Sequence, residues 1–173
     1  MIGTIIVFAL IPIVALIVNA IEDANTSISF DDVYGESGLP IVSLTNNRKR
    51  FNFLIDTGAN LSLLNVSHLE DFKYIEIPGE GTVMGMEGNK QTVNYVMVKL
   101  NHGKNSFLTN FQVVNLDAAF GNIQDEYGIL VHGVLGTEFL ESNKGRINFI
   151  EHKLKYEKTK AKEDKATLEG QSE

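Results

Sequence analysis

An aspartate that closes an apolar run is the residue of this chain best placed to do chemistry. In Phe51-Asn52-Phe53-Leu54-Ile55-Asp56-Thr57-Gly58-Ala59 the carboxylate follows a strand-like stretch directly. A lone charge beside a core is costly, so Asp56 must be stabilised locally or share its proton with a second acid. A shared proton is what general acid–base chemistry uses. Gly58 permits a tight turn with backbone amides facing the carboxylate, and Thr57 adds a hydroxyl that can bond across to a neighbouring element. The tripeptide alone is equally compatible with a strand-ending turn in which Asp is a local acceptor.

Other residue types offer less. His68, His102, His132 and His152 are widely spaced and show no metal-ligand pattern, so they read as surface or structural histidines. Ser62 and Ser67 lack the glycine-flanked context of an activated nucleophile. Asp117, Asp125 and Glu126 read as loop acids. Asn25-Thr26-Ser27 and Asn65-Val66-Ser67 match the glycosylation acceptor pattern, which means little without a secretory context. The chain has no cysteine, which excludes disulfides and thiolate chemistry. A net charge of -7 argues against nucleic-acid binding, and Arg48-Lys49-Arg50 reads as a solvated hairpin end.

The elements that must position Asp56 are short strands. Pro40 to Leu44, Phe51 to Ile55, Ser106 to Val114 and Gly128 to Val134 read as strands, with a turn at Asn46-Asn47. Glu80 to Gly85 and Gln91 to Val98 flank the loop Met86 to Lys90, a hairpin with glycine at its tip. Helix is expected only briefly, at Val66 to Phe72 and from Thr137 to Glu141. Arg146 to Ile150 and Lys153 to Tyr156 form a closing hairpin around Glu151-His152. Many short strands with little helix predict an all-β barrel or sandwich.

Taken together, Phe51 to Leu64 resembles the active-site loop of the retropepsin-like aspartic proteases. In that family apolar residues precede Asp-Thr-Gly-Ala, and a polar pair and further apolar residues follow. A second family landmark, two apolar residues, a glycine and then a short helix, resembles Gly133-Val134-Leu135-Gly136-Thr137-Glu138-Phe139-Leu140, whose Gly136 lies eighty residues after Asp56. The hairpin from Val83 to Val93 occupies the place of the family's flap. The likeness covers Pro40 to Tyr156. It implies an all-β, closed-barrel lobe with one short helix and Asp56 as the catalytic carboxylate. Thr57, Gly58, Ala59, Leu135 and Gly136 would support it, and Met84, Gly85, Met86, Glu87 and Gly88 would form the flap over an extended peptide substrate. No cofactor or metal is implied. Because the chain holds a single Asp-Thr-Gly, the resemblance implies a homodimer with one Asp56 per subunit. A non-catalytic binding or dimerisation module of the same fold is the rival reading. Two departures stand out: Asn60 and Thr137 are neutral where viral members often pair an acid with an arginine, and Glu87 replaces a common flap glycine.

The N-terminus is a separate signal. Ile2 to Ile21 contains no charged residue, which is about the length a helix needs to cross a hydrocarbon core of roughly 30 Å. A retained single-pass anchor is expected, with the domain on the non-cytoplasmic side; a cleaved signal peptide ending near Val18-Asn19-Ala20 and a buried core helix are the alternatives. The expected organisation is a membrane segment at 1–21, a linker at 22–37, the protease-like domain at 38–157 and a charged, disordered tail at 158–173.

Overall fold

The computed structural model describes residues 14–18, 21, 26–84 and 90–157, with side chains for all of these except 79–84 and 90–93. The chain opens with β1 (Ser27–Ser29) and a short helix α1 (Tyr34–Ser37). The hairpin β2 (Ile41–Asn46) and β3 (Lys49–Ile55) follows, then β4 (Ser62–Asn65) and a 3-10 turn at Val66–Asp71. Three long strands come next, β5 (Tyr74–Met84), β6 (Lys90–His102) and β7 (Asn105–Val114), and then the helix α2 (Asp117–Tyr127). The described residues end with β8 (Gly133–Leu135), α3 (Thr137–Ser142) and the hairpin β9 (Arg146–Asn148) and β10 (Lys153–Lys155).

Seven strands form a sheet in the order β2-β3-β8-β4-β7-β6-β5, and β2 also pairs with β6 through Thr45 and Asn101. That second pairing closes six strands into a barrel, with β5 lying outside the ring. The expected β-barrel lobe is therefore present. Alternation drives it: on β3, Phe51, Phe53 and Ile55 point inward, while Leu54 points to the other face. The barrel interior packs Leu44, Phe53, Leu64, Val98, Leu100, Phe111 and Leu135 into one cluster. On the opposite face of β3 and β8, Ile41, Leu54, Leu63 and Val134 pack with Phe120, Ile129 and Val131 in a second cluster.

Helix content exceeds the expectation of one short helix. α2 spans eleven residues, and Asp117, Asp125 and Glu126 lie on it and not in a loop. Leu116, Phe120, Ile123 and Tyr127 form its apolar stripe, which packs into the second cluster. The stretch expected to be a linker also carries structure. Ser27–Ser29 pairs antiparallel with Lys153–Lys155, and β9 completes a three-stranded sheet in the order β1-β10-β9. Among the described residues no helix is long and apolar enough to cross a membrane. Most of the apolar run at 1–21, and the tail at 158–173, lie outside the described residues.

The β2–β3 turn stores local strain. Asn47 and Arg48 have φ values of 47° and 67°, which match the two-residue turn whose twist suits a hairpin. Asn tolerates this region, whereas arginine does so at a cost. Replacing Arg48 with glycine is expected to stabilise the domain by about 0.5–1 kcal/mol, measured as a higher urea midpoint at unchanged slope.

Candidate active site

Two strands far apart in sequence hold the Asp56 loop. β3 and β8 run parallel, with Phe53 opposite Gly133, Leu54 opposite Val134 and Ile55 opposite Leu135. β4 flanks β8 on its other side, antiparallel, with Leu63 opposite Val134. The chain therefore leaves β3 at Asp56, turns, and returns as β4 with β8 threaded between. The Asp56 N–H donates to the Leu135 carbonyl at 3.1 Å, which extends the β3–β8 pairing to the carboxylate itself.

Within the loop the Gly58 N–H donates to Asp56 Oδ1 at 2.8 Å, and the Ala59 N–H donates to the Asp56 carbonyl at 3.2 Å. One carboxylate oxygen is thus held by a backbone amide. Among the described residues Oδ2 accepts no hydrogen bond and the Thr57 hydroxyl has no partner. Asp56 is half-buried, while Thr57, Gly58 and Asn60 are exposed. A rigidly held acid with one free oxygen beside an exposed hydroxyl can act on a group brought to that surface.

The Leu135-Gly136 segment is fitted against this loop. A Cβ on Gly136 would lie 2.6 Å from the Leu61 carbonyl oxygen and 2.7 Å from that of Ala59. A Cβ on Gly133 would collide with the Leu63 carbonyl. The Thr137 N–H donates to the Ala59 carbonyl at 2.8 Å and the Glu138 N–H to the Asn60 carbonyl at 3.1 Å. The Thr137 hydroxyl donates to the Asn60 carbonyl at 3.2 Å. Neutral residues at 60 and 137 are thus joined by a hydrogen bond from the Thr137 side chain to the Asn60 backbone, without an ion pair.

Asp56, Thr57, Gly58, Ala59, Leu135 and Gly136 are therefore brought together. The hairpin expected as a flap is present as the β5–β6 pair, regular out to Met84 opposite Lys90, with a register break between Ile77 and Glu80. Met84 ends the described part of β5. Gly85, Met86, Glu87 and Gly88 lie outside the described residues.

Three positioning side chains carry no signal in the sequence. The hydroxyl of buried Ser62 accepts the Gly136 N–H at 3.2 Å. Asn65, which matches a glycosylation acceptor pattern, is 1% exposed. Its Nδ2 donates to Asp117 Oδ1 at 2.8 Å, and its Oδ1 accepts the Leu116 N–H at 3.0 Å. Ser67 donates to Asp117 Oδ2 at 2.7 Å. The bonds from Asn65 first and Ser67 second hold the Asp117 carboxyl below the usual range. This clamp ties the end of β4 to the start of α2 and leaves Asn65 closed to a glycosyltransferase in the folded state. Removing it, as Asn65→Ala, is expected to cost about 1–3 kcal/mol because buried partners lose their bonds; thermal unfolding would measure the loss.

The sequence profile described as aspartyl protease matches residues 42–139, more than half of the chain, and spans both the Asp56 loop and Gly136. The chain belongs to the aspartyl protease family. Two solved structures are similar to this member of the aspartyl protease family. One is EIAV protease complexed with the inhibitor HBY-793, with 21% identity, a TM-score of 0.46, and coverage of 63% of this chain and 91% of the other. The second is a retropepsin-like aspartic protease from Rickettsia conorii, with 19% identity, a TM-score of 0.46, and coverage of 74% and 86%. No curated protein is detectably similar in sequence.

Proposed function

We propose that this chain is an aspartic endopeptidase of the retropepsin-like kind, active as a homodimer in which each protomer contributes one Asp56. The observation that carries this reading is the Asp56 loop itself, which presents one ordered, half-buried carboxylate beside exposed Thr57, with its Oδ2 and the Thr57 hydroxyl unengaged among the described residues. One lobe holds one such acid, and water activation needs two that share a proton. A twofold axis beside Thr57 would supply the second. In the resulting pair one carboxylate removes a proton from water as it attacks the peptide carbonyl. The other acid then protonates the leaving nitrogen. The β5–β6 hairpin would close over an extended substrate and exclude water.

The uncharged run from Ile2 to Ile21 supports a membrane anchor. β1 begins at Ser27, so this tether would be short, and confinement to a bilayer would raise the concentration for dimerisation. Release of the protein from membranes by alkaline carbonate would overturn the anchor. The peptidase reading is tested by incubating the protein with a peptide library between pH 3 and 7. Cleavage whose specific activity rises with protein concentration, and which a pepstatin-type inhibitor blocks, is expected. A strict monomer with neither turnover nor inhibitor binding would point instead to a binding module.

A further inference from the structure

One buried imidazole outside the active site is bonded into the strand pair that presents Asp56. His132 immediately precedes β8 and is 9% exposed. Its N–H donates to the Asn52 carbonyl at 2.8 Å, and its carbonyl accepts the Asn65 N–H at 2.9 Å. Its ring Nδ1 accepts the Asn52 N–H at 3.1 Å. A backbone amide can only donate, so this bond exists only while Nδ1 carries no proton. His132 therefore stitches β3 to β8 through both main chain and side chain. The next residue, Gly133, pairs with Phe53, three residues before Asp56.

The surroundings favour the neutral ring. Phe51 packs edge-on at 5.0 Å between centroids, and Phe72 does so at 6.4 Å. The charged and titratable groups facing it come from the 3-10 turn. His68 lies with its ring centroid 5.1 Å away, and Asp71 is 4.0 Å from His68. Lys49 on β3 pairs with Asp71 at 3.0 Å, and the pull of Asp71 is the weakest of the influences on His132, opposing the larger effect of burial.

We propose that His132 is a positioning residue of the Asp56 loop, whose neutral ring locks β3 to β8 and whose protonation sets the acid limit of the folded, active state. On protonation Nδ1–H and the Asn52 N–H become two donors facing each other, and the β3–β8 junction loses the bond from the ring, leaving the Asn52 Nδ2 bond to the Leu130 carbonyl at 2.9 Å. Burial first, and the neighbouring His68 second, push the His132 imidazole down to about 4. The unfolded chain takes up this proton near the ordinary value of 6.5. Stability from this group is thus complete above about pH 6.5 and is lost as pH falls towards 4. The difference corresponds to a change of up to about 300-fold in the folding equilibrium. An acid–base pair of carboxylates works at acid pH, so this limit would cap activity from the acid side.

The role in activity rests on the peptidase reading, but the lock does not, and the test separates the two. Urea unfolding of the full-length Asp56→Asn protein is followed from pH 7 to 4, which removes any contribution from paired catalytic acids. A second protein adds His132→Asn, whose Oδ1 can still accept the Asn52 N–H but does not titrate. The first should lose stability across this window, and the double variant should lose at least tenfold less in its folding equilibrium. Equal losses would overturn the proposal. Should the double variant fail to fold, the Asn52 amide resonance of the single variant decides: a shift with a midpoint near pH 4 supports the lock, and an amide that does not titrate overturns it. If peptidase activity is found, the acid limb of kcat/KM in His132→Asn alone should move to lower pH.

Discussion

Replacing Asp56 with asparagine is expected to abolish peptide hydrolysis, by roughly 10⁴-fold or more, while leaving the barrel intact. Asparagine retains the Oδ1 that accepts the Gly58 N–H at 2.8 Å, so the turn keeps its internal bond. It cannot take a proton from water or return one to a leaving amine. In a homodimer the substitution enters both halves of the pair at once, so no intact carboxylate remains at the twofold axis. Single-turnover assays with a cleavable peptide would measure the rate, and the urea midpoint at pH 7 would show the fold unchanged. An Asp56→Asn protein that still cleaves at more than a tenth of the parent rate would remove Asp56 from the mechanism. Mixed dimers offer a further check. A mutant protein added in excess to the parent should poison activity, because each mixed pair contains only one titratable acid.

The second large effect is expected at Gly136, and it acts on fold and site together. A methyl group there would sit 2.6 Å from the Leu61 carbonyl and 2.7 Å from the Ala59 carbonyl. Both contacts are to backbone, which no rotamer change can relieve, so either the Asp56 loop or the Leu135-Gly136 segment must move. Overpacking of this kind costs typically about 1–3 kcal/mol and sometimes more. Movement would also break the bonds that Thr137 and Glu138 make to Ala59 and Asn60, and would withdraw the Gly136 N–H from Ser62. Gly136→Ala is therefore expected to lower the thermal midpoint by several degrees and to reduce kcat at least tenfold in whatever fraction remains folded. A fully active, equally stable alanine variant would show that this close approach does not constrain the loop.

Much of the site is legible in the sequence, because its parts are local. An apolar run ending in Asp-Thr-Gly signals a carboxylate at a strand end, and the glycine before Thr137 signals a tight passage. The hairpin frame of β5 and β6 is equally plain from alternation. The features without such a signal depend on distant partners. Leu116, Phe120, Ile123 and Tyr127 are spaced as a helical stripe, yet Gly121 and the acids around them mask it; packing against Leu54, Leu63 and Val134 supplies most of the stabilisation that helix needs. Asn65 carries a glycosylation pattern on its face, and only burial shows that its amide is already committed to Asp117 and Leu116. Ser27–Ser29 looks like a linker until its partner Lys153–Lys155 is in place.

By itself the sequence determined the chemistry available at Asp56 and the membership of its loop, since side-chain acidity and turn preference are properties of neighbouring residues. Only the tertiary structure decided how that loop is held. The parallel pairing of β3 with β8 joins residues eighty positions apart, and its hydrogen bonds run between backbone groups that every residue carries. Such pairing leaves no side-chain signature. The Leu135 carbonyl on the Asp56 amide, the Ser62 hydroxyl on Gly136 and the His132 ring on Asn52 thus arise only once the barrel has closed around them.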